Sequence, residues 1–247
     1  MPTEKTRERE RERVNASDQI FSFKNLVKCY YQCRKHKRRT ANAIKFEMDY
    51  ENELFKLQSE LTARTYYPGR SICFVVTKPK LREIFAADFR DRIVHHVLVK
   101  YLEPIWEKIF IAQSYACRKG KGSIKAVREL QGNLQRAQKS AKNRKIYYLQ
   151  ADVQSFFVSI DKQILFEMLR QKTRNQIILW LARTIIFHAP VKNYHAKGDL
   201  SLFSLIPEHK SLFTAPPGQG LPIGNLTSQF FANVYLNAID QFAKHKL

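Results

Sequence analysis

Apolar residues recur along this chain with two periods, one helical and one strand-like. From Phe21 to Thr40, Phe23, Leu26, Val27, Tyr30 and Tyr31 follow helical spacing and lead into Arg34-Lys35-His36-Lys37-Arg38-Arg39, which predicts a helix with a basic end. Ile44 to Ala63 reads as a second amphipathic helix, with Phe46, Tyr50, Leu54, Leu57 and Leu61 on one face. Pro68-Gly69 then punctuates the chain. Ser71 to Val76 is apolar and β-prone, and Lys80 to Ala87 can return as its hairpin partner across Lys78-Pro79. A long helix is expected from Arg90 to Phe110, bent or broken near Pro104 because proline lacks the amide hydrogen, and another after Gly120 and Gly122. Ile146 to Leu149 reads as a buried strand that delivers Asp152 at its tip. Helices follow at Asp161–Arg170 and Asn175–His188, then a loop-rich stretch from Ala189 to Pro222 and a final amphipathic helix from near Gly224. With no internal repeat and no flexible linker, the fold class is α/β (α+β), helix-rich, with sheet and helices intermixed.

Composition sharpens this picture. The 247 residues are 44% hydrophobic and include 17 Phe and 11 Tyr, too much sticky surface for a chain that stays disordered. Charge says more about partners: 43 Lys plus Arg against 22 Asp plus Glu give +21, typical of a protein that binds a polyanion. The segment Thr3 to Arg13 carries five basic and four acidic side chains without an apolar anchor and reads as a solvated helix or tail. Between Arg118 and Lys145, by contrast, ten Lys or Arg accompany one acid, Glu129. So one-sided a surface repels itself unless a polyanion neutralises it, which makes Arg118, Lys119, Lys121 and Lys125 candidate phosphate contacts. Arg34, Lys35, Lys37, Arg38 and Arg39 are candidates on the same ground, against the alternative of positive charge favoured at a helix C-terminus.

No apolar run is long enough to span a bilayer, and the N-terminus opens on charge where a signal peptide needs an apolar stretch, so a cytoplasmic location is expected. Cys29, Cys33, Cys73 and Cys117 are too few and too scattered for a disulfide framework. Cys29 and Cys33 sit one helical turn apart but lack a second pair at zinc spacing, which favours reduced, packed thiols.

Two segments are more specific than composition. In QADVQSFFVSID, Gln150 to Asp161, a carboxylate at a predicted strand end is followed by an aromatic pair, and Asp161 suits a helix N-cap. In GQGLPIGNLTSQFFANVYLN, Gly218 to Asn237, a Gly/Pro turn runs into a helix with Leu226, Phe230, Val234 and Ala238 near-aligned on one face. In this order they resemble motifs A and B of the palm of reverse transcriptases. Upstream, KPKLREIFAADFRDRIVHHVL looks like the family's fingers segment and SYACRKGKGS is similar to its second motif. The resemblance covers roughly Tyr66 to Asn237 and implies a right-hand polymerase. Its expected parts are a basic N-terminal helical extension at 1–65, fingers at 66–145 and a partial palm at 146–247.

The resemblance implies an RNA-directed DNA polymerase that takes dNTPs and copies template RNA through an RNA/DNA hybrid, with Mg²⁺ (or Mn²⁺) as cofactor. Two-metal phosphoryl transfer needs carboxylates around two divalent ions. Asp152 would be the first metal ligand, with the carbonyl of Val153 beside it. Phe157 would be the gate that excludes a ribose 2′-hydroxyl, against a plain packing role. Lys78, Lys80 and Arg82 would hold the incoming triphosphate, where an Arg fork binds phosphate oxygens bidentately. The alternative for these three is an edge strand protected by charge. Arg90 and Arg92 either pair Asp88 and Asp91 or contact template. Ile223 and Gly224 would lie against the nascent base pair. IGNLTSQ, Ile223 to Gln229, resembles the reverse transcriptases of diversity-generating retroelements, and that family suggests a small basic accessory protein as partner.

One departure stands against this. A palm needs a further pair of adjacent carboxylates, normally in a Tyr-x-Asp-Asp hairpin, and none follows Asp152 before Leu247. The thumb is missing too, so a fragment, or a split or decayed gene product, inactive alone, is expected. The alternatives are a non-catalytic RNA-binding or assembly subunit and a retron or defence-type reverse transcriptase.

Overall fold

The computed structural model describes residues 19–35, 39–141 and 145–246. The expectation for Thr3–Arg13, and those for Lys37 and Arg38, lie outside them. Helices α1 (Phe23–Arg34), α2 (Ala41–Glu47) and α3 (Tyr50–Thr62) precede a hairpin of β1 (Ser71–Val76) and β2 (Arg82–Ala86). Then come α4 (Phe89–Trp106), α5 (Ser123–Ser140), the single turn α6 (Phe156–Ser159), α7 (Lys162–Lys172) and α8 (Gln176–Phe187). A short strand β3 (Tyr194–Ala196), several 3₁₀ turns and the long helix α9 (Leu226–His245) complete the order. The result is a helix-rich mixed α/β architecture with a small three-stranded sheet.

α4 is the axis of the core. Ten of its residues are buried, and Ile93, Val94, Val97, Leu98 and Leu102 among them are 0–1% exposed. α1, α2, α8 and α9 pack around it. One buried cluster runs from Phe21 to Val234, so all three expected segments contribute to a common core. Cys29 and Cys33 pack inside it, where burial pushes the Cys29 thiol up to about 11.

The sheet has the order β2-β1-β3, antiparallel between β1 and β2 and parallel between β1 and β3. The expected hairpin is present, with Val76 opposite Arg82 and Ile72 opposite Ala86. β3 falls within the stretch read as loop, because its three residues are too short to carry an alternating pattern.

Three expectations need correction. The helix expected over Ile44–Ala63 is broken at Met48-Asp49, which lets Phe46 turn toward Tyr30 and Phe89 while Tyr50 stacks on Tyr30. The helix expected to reach Phe110 ends at Trp106, just past Pro104. The buried strand expected at Ile146–Leu149 is not formed: these residues lie outside any strand, and Tyr147, Tyr148 and Leu149 are 82–89% exposed. An apolar run marks a segment that gains from burial, but a strand also needs a partner backbone, and the described residues bring none alongside.

Candidate nucleotide and nucleic-acid site

The turn Gly218–Asn225 is fastened on both sides. On one side, Lys162 N donates to Gly218 O at 2.9 Å, Gly220 N to Ile160 O at 2.9 Å and Leu221 N to Phe157 O at 2.8 Å. On the other, Phe85 N on the outer edge of β2 donates to Ile223 O at 2.8 Å. The Asn225 amide completes that edge by accepting from Ala87 N and donating to Phe85 O, each at 3.0 Å. A sheet edge that would otherwise present unpaired backbone groups is thereby closed by the turn. The fit is close at Gly224: its φ is 120°, and a Cβ there would sit 2.7 Å from Ile84 Cγ2.

This seam joins the two segments singled out in the sequence to the hairpin. Phe157 is partly buried beside Phe156, their rings 5.4 Å apart and edge to face, and Phe156 in turn meets Tyr235 of α9. Ile223 and Gly224 lie along β2, and Arg82 stands exposed at the start of that strand. Lys78 and Lys80 are exposed in the turn between β1 and β2. Asp152 and Val153 are exposed in the segment before α6, with Ser155 in a left-handed conformation at its cap. Asp161 caps α7 by accepting from Ile164 N at 2.8 Å, as its position before an apolar run implied.

Buried carboxylates nearby serve the scaffold. Asp91 accepts from Tyr66 Oη and Gly69 N, both at 2.8 Å, and desolvation by burial raises its pKa to about 6. Glu83 is buried, accepts from Ser211 Oγ at 2.8 Å and Leu212 N at 2.9 Å, and is raised by desolvation. Arg90 pairs with Glu60 and lies over Tyr66, with Asp91 4.0 Å away, and Arg92 donates to Ala87 O at 2.8 Å. The sequence offered no signal for Glu83 or for the double role of Asn225, because both act on backbone that is distant in the chain.

Among the described residues, no group of three His, Cys, Asp or Glu side chains gathers to hold a metal ion. Asp152 supplies one carboxylate.

The basic candidates divide into two kinds. Arg118 is spent on its own loop: it binds Glu107 at 2.8 Å, donates to Ile111 O and Ser114 O at 2.8 Å each, and lies over Phe110. Only 7% of its side chain is exposed. Lys119 pairs with Glu103 at 3.0 Å yet is 88% exposed, and Lys121 and Lys125 donate to the carbonyls of Ala112 and Gly120. Arg34 pairs with Glu47 at the end of α1, while Lys35 and Arg39 are exposed. α5, which continues the basic segment, buries no residue.

No family model matches the sequence. The chain is 27% identical over 195 residues to Protein YkfC of Escherichia coli, covering 77% of this chain and 45% of that protein. It is 23% identical to an uncharacterized 91 kDa protein in a cob intron of Schizosaccharomyces pombe, covering 73% of this chain and 19% of that one. It is 25% identical to nuclear intron maturase 1, mitochondrial, of Arabidopsis thaliana over 43% of this chain and 14% of that protein. Among solved structures, a chain of a partial Cas6-RT-Cas1--Cas2 complex matches 93% of this chain and 34% of its own, at TM-score 0.45 and 17% identity. The chain spans less than half the length of these relatives. No helix among the described residues is long and apolar enough to cross a membrane. By sequence, then, this chain is a distant relative of proteins that include an intron maturase and a protein in a cob intron.

Proposed function

We propose that this chain is a reverse-transcriptase-related, retroelement-type protein that binds RNA and carries the fingers and part of the palm of an RNA-directed DNA polymerase. The observation that carries this reading is the seam that fastens Gly218–Asn225 between β2 and residues 157–162. It puts on one scaffold the segments whose family counterparts face the nucleotide. In this reading Lys78, Lys80 and Arg82 meet the triphosphate, Phe157 meets the sugar, and Ile223 and Gly224 meet the nascent base pair. The intron-maturase likeness supports the retroelement class, while IGNLTSQ alone supports the finer diversity-generating type. A metal site at Asp152 needs further carboxylates beyond those the described residues gather there, so Mg²⁺ chemistry belongs to the whole protein.

The test is primer extension on an RNA template with dNTPs and Mg²⁺, using the protein in its full natural context. Asp152→Asn should abolish synthesis while RNA affinity stays within about twofold, because the change removes none of the cations that neutralise phosphates. Substantial residual extension would give Asp152 a structural role. A parent that binds RNA but never extends a primer would support the second reading, a non-catalytic RNA-binding subunit, which the high positive charge favours independently.

A further inference from the structure

A cleft of about 740 Å³ opens where the end of α7, the turn into α8 and one face of α8 meet the residues that follow α3. Four arginines line it, Arg64, Arg170, Arg174 and Arg183, over a floor that includes Phe166 and Trp180. All four are exposed, Trp180 is partly exposed and Phe166 is buried. Among the described residues, only Arg170 of the four has a carboxylate within salt-bridge distance, Glu167 at 2.5 Å. Arg183 lies against aromatic neighbours, 5.6 Å from the Phe166 ring centre and 5.0 Å from that of Phe187. Folding thus gathers guanidinium groups from three places in the chain without supplying acids to match, which costs free energy unless a polyanion balances them.

The side-chain types narrow the ligand. Arginine forks bind phosphate oxygens in pairs, and a base can stack on an exposed indole. A duplex keeps its bases stacked inside and makes no use of Trp180, and an acidic peptide has no base to place there. The cleft's volume falls within the range of pockets that hold a small molecule or a nucleotide unit. We propose that this cleft is a binding site for single-stranded RNA, with phosphates held by Arg64, Arg174 and Arg183 and a base stacked on Trp180. It shares no lining residue with the seam at β2. It rests on the RNA-binding part of the proposed function and needs none of the polymerase chemistry.

The chain has two tryptophans, and Trp106 is only 2% exposed, so quenching of intrinsic fluorescence by RNA reports on Trp180. The intact chain is titrated with a 12-nucleotide oligouridylate over a series of salt concentrations. Saturable quenching is expected, and Trp180→Phe should remove it. In Arg64→Ala/Arg174→Ala the midpoint should rise on the order of tenfold, and the slope of log affinity against log salt should flatten by about 1.4 for two phosphates. This double variant leaves Arg183 on its aromatic neighbours and the fold unthreatened, and Arg174→Glu gives an independent charge reversal. An unchanged midpoint and slope in the folded double variant would overturn the proposal, as would polyglutamate quenching Trp180 as well as the oligonucleotide does. Asp152→Asn should leave the quenching as it is. Failure of primer extension with quenching intact would count against the polymerase reading alone, and Arg-independent quenching with extension intact would count against this site alone.

Discussion

Asn225→Ala probes the joint on which the candidate site depends. Asn225 is 7% exposed, and its amide satisfies two groups of the β2 edge, the N–H of Ala87 and the C=O of Phe85, at 3.0 Å each. Alanine removes both partners and leaves a buried donor and a buried acceptor. Each such group costs about 1–3 kcal/mol. Water reaching the small cavity that Asn225 helps line would offset part of this, so a loss of about 2–4 kcal/mol is expected. For a chain of this size that corresponds to a fall in Tm of roughly 5–15 °C. Differential scanning calorimetry measures it directly. Asn225→Asp is the sharper control, since a carboxylate still accepts from Ala87 N but sets a negative oxygen against Phe85 O. Its folded-state pKa should therefore be raised, so the variant is least stable above that pKa and recovers as pH falls and the protonated acid can donate. A change in Tm under 2 °C for alanine, or an Asp variant indifferent to pH, would refute the view that this amide fastens the turn to the hairpin.

Four further outcomes are expected. Gly224→Ala should cost about 2–5 kcal/mol by urea titration, from positive φ plus a Cβ forced against Ile84, whereas Gly218→Ala, with φ 81° and open space around it, should cost only about 1–2 kcal/mol from the backbone. Asp91 has a folded pKa of about 6 against an ordinary 3.8, so its ionisation should reduce stability by roughly 3 kcal/mol as pH rises through that window, with a plateau above it. Carboxyl NMR of labelled Asp91 should show the titration near 6, and a midpoint near 4 would remove it from the account. Arg118→Ala should lower stability by about 2–4 kcal/mol because Glu107 and two carbonyls lose a shared partner, while Lys119→Ala should leave the Tm unchanged and weaken RNA binding in low salt, read by anisotropy. In a protein that extends primers, Ile223→Gln should lower misincorporation by roughly two- to tenfold, the worth of one added neutral hydrogen bond, as counted by sequencing the complementary DNA.

Local pattern was enough for the hairpin across Lys78-Pro79, for α5 starting after Gly122 and for α7 capped by Asp161, because turn residues, caps and periodicity act between neighbours in sequence. It was also enough to mark two unusual segments, Gln150–Asp161 and Gly218–Asn237, and an excess of positive charge. Tertiary structure decided what those features do. The break at Met48-Asp49 follows from aromatic packing on Tyr30 and Phe89, to which a helical wheel is blind. Arg118 and Lys119 are adjacent and alike in sequence, yet one is sealed in its own loop and the other projects into solvent, because only the fold brings Glu107 and two carbonyls around a single guanidinium. Ile146–Leu149 carries the apolar pattern of a buried strand and lies exposed, since a strand is completed by another backbone and not by its own side chains. The arginines around Trp180 were invisible for the converse reason: Arg64, Arg174 and Arg183 are far apart or singly unremarkable along the chain, and α3, α7 and α8 must pack before their charges share one cleft.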